Sequence, residues 1–234
     1  MKTVKLLSGG AAQGLVGALA PELERAGIRI KGTFGAVGAM RERLLGGAPT
    51  DLMIVTASGI QDLAGMGRVE GREAADLGSV ATAVAVPAGH PVPRIDDADA
   101  LCDALLGADA IFFPDPEKAT AGIHFAAVLE RLGIVDQVRD RLRTFPNGAT
   151  AMAALAGIRG GRPIGCTQIT EILATPGLTP VGELPEGFGL ATIYTAAPCT
   201  DAAEPEAARE VIRRLTGPEA ASERSRAGFG PAAS

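Results

Sequence analysis

Two short glycine turns carry most of the chemistry this chain could perform on a small anion. Ser8-Gly9-Gly10 follows an apolar run and opens a helical pattern, and Thr120-Ala121-Gly122 opens another. Backbone N–H groups at strand-to-helix turns of this kind converge on negative charge, and the helix dipole adds to the attraction. Groups able to move a proton are scarce: the chain has two histidines. His124 follows the second turn closely, in a helical stretch where a histidine is more often packed or solvated than catalytic. His90, in AGHPVP, reads as a surface-loop residue. Asp115, in the turn PDPE, reads as an acceptor for backbone amides, and Lys118 as a solvated cation. Cys166 has no activating partner nearby in sequence and reads as a core residue rather than a nucleophile.

The elements that must position these turns follow from hydrophobic periodicity. Short β-rich runs are expected at Thr3–Leu7, Ile28–Thr33, Leu52–Val55, Ser79–Val86, Ala110–Phe113, Pro163–Thr167, Thr179–Glu183 and Leu190–Ala196. Helices are expected near Gln13–Ala26, Ala39–Gly46, Gly59–Ala64, Asp97–Leu106, Gly122–Leu132, Val135–Arg141, Ala149–Ala156 and Glu204–Leu215. This alternation defines an α/β fold, in which ligands bind at the carboxyl ends of strands.

Composition narrows the function further. No run approaches the ~18–20 uninterrupted apolar residues of a membrane span, so no membrane span is expected. The net charge is −5 and the basic residues are scattered, which argues against a nucleic-acid surface. Three widely separated cysteines, Cys102, Cys166 and Cys199, lack metal-ligand spacing, so neither a disulfide framework nor a metal site is expected. The first residues sketch a secretory leader, but Ser8, Gly9, Gly10 and Gln13 interrupt its apolar core. They are therefore expected in the working protein. A cytoplasmic location follows, or a periplasmic one if a leader has been removed.

With the segments laid out, the chain resembles the molybdate-binding proteins of ABC transporters. The resemblance rests on GGAPTDLMIVTAS (46–58), PDPEKATAGIHFAAVLERLG (114–133), RPIGCTQ (162–168) and LTGPEA (215–220). It implies a two-lobed type 2 periplasmic-binding-protein fold with the ligand in a cleft between lobes. Lobe one would take residues 1–82 and 196–234, and lobe two residues 83–195. The family's ligand positions then fall on Ser8, Gly9, Gly10 and Gln13 in the first loop, and on Gly35, Ala36 and Val37 in the second. Thr56, Thr120, Ala121, Gly122, Asn147, Gly148 and Gln168 complete the implied lining.

Departures from the family pattern point away from molybdate. Gly10 stands at the position of the first loop serine, the second loop FGAVG carries no hydroxyl, and Gln168 replaces a tyrosine. A desolvated tetrahedral oxyanion needs many short hydrogen bonds, each missing one costing on the order of several kcal/mol. The same fold family includes aconitate isomerase. The expectation is accordingly a cytosolic, cofactor-independent isomerase performing an allylic proton shift on a small di- or tricarboxylate. His124 is the preferred proton-transfer group, ahead of Lys118, Glu171 and Asp115. The alternative is a solute-binding protein that carries an oxyanion or carboxylate to an ABC permease without turnover.

Overall fold

The structure is a computed structural model, which describes residues 1–231. The chain forms two compact α/β units, one of residues 1–80 and 192–234 and the other of 81–191.

In the first unit, β1 (Lys2–Gly9), α1 (Gln13–Arg25), β2 (Ile28–Gly35), α2 (Val37–Leu45), β3 (Leu52–Thr56) and α3 (Ala57–Gly65) alternate. Strand β1 pairs in parallel with β2 and with β3. The central strand β3 is apolar because it is covered, being buried from Leu52 to Val55. Leu7, Met53 and Val55 pack with Met40 and Leu44 of α2 and with Ile60 and Leu63 of α3 in one cluster.

The chain leaves this unit within β4 (Ala75–Pro87) and enters the second. There α4 (Ala98–Gly107), β5 (Ala110–Pro114), α5 (Thr120–Arg131), α6 (Val135–Val138), β6 (Leu142–Phe145), α7 (Gly148–Ala156), β7 (Pro163–Gln168), α8 (Ile169–Leu173) and β8 (Leu178–Glu183) follow. Strand β5 lies parallel to β6 and β7, whereas β4 runs antiparallel to β7 and β8. Phe125 and Leu129 of α5 and Leu101 and Leu105 of α4 pack with Ile111 and Phe113 of β5. The rings of Phe113 and Phe125 meet edge to face at 5.3 Å.

Strand β9 (Ala191–Pro198) returns the chain to the first unit, which α9 (Pro205–Thr216) and α10 (Ala221–Arg226) complete. The return falls at Thr192, before the residue 196 expected from sequence, because β9 pairs with β3 from Tyr194 onward. Asp51 ties this segment down. Its carboxylate, 1 % exposed, accepts the Lys5 N–H at 2.8 Å, the Ala203 N–H at 2.7 Å and the Glu204 N–H at 3.1 Å. One side chain thereby joins β1 to the start of α9. Helix α9 carries the sharpest separation of faces, with Ala207, Ala208, Val211, Ile212 and Leu215 buried.

Four elements differ from the sequence expectation. The helix expected over Val135–Arg141 stops at Val138, a single 3₁₀ turn covers Arg139–Arg141, and β6 follows. Strand β6 is a half-exposed edge with two arginines just before or within it, so neither apolar alternation nor a continuous apolar run marks it. Helices α8 and α10, of 5 and 6 residues, are too short for a helical period to show. Among the described residues no helix is long and apolar enough to cross a membrane.

Candidate anion-binding site

Each unit gathers strand ends and helix starts at one sheet edge. In the first, register places Gly9 beside Gly35, and Ser8 beside Ile54, two residues before Thr56. The ends of β1, β2 and β3 are thus neighbours, each leading directly into helical backbone. Gly9 allows a close approach that a side chain would block: a Cβ there would lie 2.9 Å from Tyr194 Cε1 and 3.2 Å from Val37 Cγ2.

The helix starts differ in whether the chain already satisfies their amides. Thr56 caps α3, its Oγ1 accepting the Gly59 N–H at 3.1 Å and lying 3.3 Å from Ser58 Oγ. Ser8 belongs to strand β1 rather than to a turn, is fully buried, and donates its hydroxyl to the Gly9 carbonyl at 2.8 Å. Its expected place as a ligand hydroxyl is therefore taken by a contact within the chain. No side chain caps the 3₁₀ turn Gly10–Ala12, the exposed start of α1 at Gln13, or α2 after Ala36.

The second unit repeats the contrast. Helix α5 begins at Thr120 with no side-chain cap, so its first amides, on Thr120, Ala121 and Gly122, meet no capping side chain. Asp115 Oδ1 shapes the preceding turn by accepting the N–H groups of Glu117 at 2.7 Å and Lys118 at 3.1 Å. Gly122 packs against the carbonyl oxygens of Pro114 and Asp115, leaving no space for a Cβ. At α7 the amides are engaged. Asn147, expected as a ligand contact, instead forms a capping box with Thr150: its Oδ1 accepts the Thr150 N–H at 2.9 Å. Gly148 is buried against the Glu171 carboxylate and Thr167 Oγ1, and the Ala149 N–H donates to that carboxylate.

Glu171 is the most perturbed carboxyl of this edge. It is 6 % exposed, and burial pushes its pKa up to about 7 from 4.5. Hydrogen bonds from Thr167 Oγ1, at 2.5 Å to Oε2, and from the N–H groups of Ala149 and Gln168 oppose that rise. The folded protein therefore holds this proton up to about pH 7, whereas the unfolded chain releases it near 4.5. The stability contributed by the group is complete below pH 4.5 and is lost as pH rises towards 7, a change of about 3 kcal/mol at ~1.4 kcal/mol per unit. Glu171→Gln cannot titrate and should lack this slope. Urea unfolding at a series of pH values checks it; parallel wild-type and variant curves would refute the assignment.

Gln168 stands out in the opposite sense. It is 2 % exposed, yet neither its Oε1 nor its Nε2 has a partner within the chain. Thr82, its register partner on β4, likewise leaves a buried Oγ1 unpaired. Nothing in the local sequence around Thr82 signals this, because the pairing spans most of the second unit.

His124 is half-buried on α5, and its Nε2 lies 2.7 Å from the Phe188 carbonyl oxygen. A carbonyl can only accept, so Nε2 carries the proton and the neutral ring keeps its lone pair on Nδ1. The guanidinium of Arg131, further along the same helix, covers the Phe188 ring at 4.5 Å. Cys166 is buried, and burial pushes its thiol well above its ordinary value, as suits a core residue. Two depressions mark the second unit. An open one of about 440 Å³ lies at the ends of β5 and β6, between Asp115 and Pro146; the other, about 240 Å³, lies beneath the His90 loop, at the end of β4 and the start of β7.

Two α/β units joined through β4 and β9, with uncapped helix starts at their sheet edges, are the architecture of type 2 periplasmic binding proteins. Residues 4–230 match the model of the bacterial extracellular solute-binding proteins, and the chain belongs to that family. It is 28 % identical over 226 residues to an aconitate isomerase of Pseudomonas, covering 94 % of this chain and 84 % of the relative. Its fold is similar to the periplasmic molybdate-binding protein of Azotobacter vinelandii, with TM-score 0.80, 18 % identity and coverage of 97 % and 98 %. It is also similar to a sulfate-binding protein of Mycobacterium tuberculosis, with TM-score 0.75, 19 % identity and coverage of 99 % and 87 %.

Proposed function

We propose that this protein is a cofactor-independent isomerase that shifts a double bond within a small unsaturated di- or tricarboxylate, with aconitate the first substrate to test. The observation that carries this reading is the likeness to aconitate isomerase over 94 % of the chain. The sheet edge of each unit, taken by itself, is compatible with it. Ser8 already donates internally and the Gly35–Val37 loop offers no hydroxyl, so hydroxyl donors for a tetrahedral oxyanion are few. The amides of Gly10–Ala12 and Thr120–Gly122 are suited to carboxylates.

In the reaction, a base takes a proton from the substrate's methylene carbon and the electron pair of the broken C–H bond becomes the new double bond. The old double bond's electrons move onto the neighbouring carboxyl as a dienolate. On collapse they form a C–H bond at the former vinyl carbon with a proton returned by the same group, so charge and atoms are unchanged overall. We assign the base to His124 through Nδ1, whose lone pair the Nε2–H to Phe188 bond preserves. Backbone amides stabilise the dienolate oxygen.

A second reading has its own support. Family membership and the molybdate-binding fold neighbour favour a solute-binding protein that passes its anion to an ABC permease. Chromatographic separation of cis- and trans-aconitate after incubation with the protein decides between them when run beside calorimetry with molybdate and sulfate. Interconversion supports the isomerase; tight oxyanion binding without it supports the receptor.

A further inference from the structure

A buried primary amide makes a demand that an ionised oxyanion cannot meet. Nε2 of Gln168 needs an acceptor, but Oε1 needs a donor, and both atoms are enclosed without either. Flipping the amide exchanges the two atoms and leaves the demand unchanged. Gln168 is the last residue of β7 and pairs in antiparallel register with Thr82 of β4. Cross-strand partners project to the same face of a sheet, so the unpaired Thr82 hydroxyl shares the amide's surroundings. The backbone of Thr82 is already engaged, its N–H donating to Leu190 O at 2.9 Å and its carbonyl accepting from Leu184 N at 3.2 Å, and among the described residues no group is hydrogen-bonded to the Gln168 amide or the Thr82 hydroxyl. Thr167, the preceding residue, projects to the other face and is committed to Glu171.

We propose that Gln168, assisted by Thr82, selects anions that bring a hydrogen-bond donor, namely a hydroxyl or an acid proton, alongside their acceptor oxygens. Fully ionised sulfate and molybdate bring acceptors only and leave Oε1 unpaired. Resting on the isomerase reading, the same amide holds one substrate carboxyl as neutral COOH. That form is the better electron sink for a dienolate, because a carboxyl bearing a proton accepts the electrons without accumulating a second negative charge.

The test uses matched ligands that need no turnover. Citrate differs from tricarballylate by one hydroxyl, and hydrogen phosphate is a tetrahedral dianion of sulfate's shape that carries one acid proton; neither tricarballylate nor sulfate can isomerise. Calorimetry with the full chain should show the donor-bearing member of each pair binding at least about tenfold tighter. Gln168→Leu, which abolishes the demand, should bring both ratios close to one, and Thr82→Val, which keeps the shape, should reduce them less. Equal affinity within both pairs, or a preference that persists in Gln168→Leu, overturns the proposal while leaving the isomerase reading intact. Failure of all four ligands to bind overturns the proposal together with the anionic-ligand reading beneath it. Interconversion of aconitate without any donor preference would refute the proposal alone.

Discussion

Replacing His124 by glutamine is expected to lower aconitate turnover roughly a hundred- to ten-thousand-fold while leaving ligand affinity within about threefold of wild type. The glutamine amide can still donate an N–H towards the Phe188 carbonyl that His124 Nε2 reaches at 2.7 Å, so α5 stays tied to the 185–189 turn. What it lacks is a basic nitrogen. The loss should therefore appear in kcat with KM little changed, as for a group that acts only in the transition state. His124→Ala removes the tie as well, and is expected to weaken binding in addition to turnover. Steady-state kinetics and calorimetry on both variants separate the roles. Full turnover by His124→Gln would remove His124 from the mechanism and leave its bond to Phe188 as its whole function.

The second large effect concerns stability. Asp51→Ala is expected to cost roughly 3–5 kcal/mol, read by urea unfolding monitored with circular dichroism. The carboxylate serves the N–H groups of Lys5, Ala203 and Glu204, and an alanine leaves these donors without acceptors in a site where Asp51 itself is 1 % exposed. Each unsatisfied buried donor costs about 1–3 kcal/mol, partly relieved where water can enter. Asp51→Asn keeps one acceptor oxygen but places an NH₂ against backbone donors, so it should recover only part of the loss. An alanine variant within about 0.5 kcal/mol of wild type would mean that Asp51 does not anchor the start of α9.

How much of this was legible beforehand depended on whether the signal was local. Strand β3 is a near-continuous apolar run, and Gly27 and Gly47, with φ of 81° and 84°, punctuate the ends of α1 and α2, so the pattern located these elements. The uncapped helix start at Thr120–Gly122 was legible for the same reason, since a strand, a turn and a helix start are consecutive in sequence. What sequence order could not convey was which amides the chain keeps for itself. Asn147 and Thr56 look like ligand residues until their oxygens are seen on Thr150 and Gly59. Thr167 at the end of β7 and Glu171 in α8 stand only four apart, but only the fold brings Gly148 and Ala149 against them. The Thr82–Gln168 pair lies 86 positions apart and is created by strand pairing alone. The family resemblance placed Gln168 in the lining, yet only burial revealed that its amide has no partner.

Whether this binding-protein fold performs chemistry is decided by proton NMR of the purified chain with trans-aconitate in D₂O. An isomerase should accumulate cis-aconitate, with deuterium at the carbon that is reprotonated, because a proton held on His124 Nδ1 exchanges with solvent during the shift. Unchanged trans-aconitate resonances at protein concentrations comparable to substrate, while molybdate or sulfate binds tightly, would contradict the isomerase reading and make the protein a receptor.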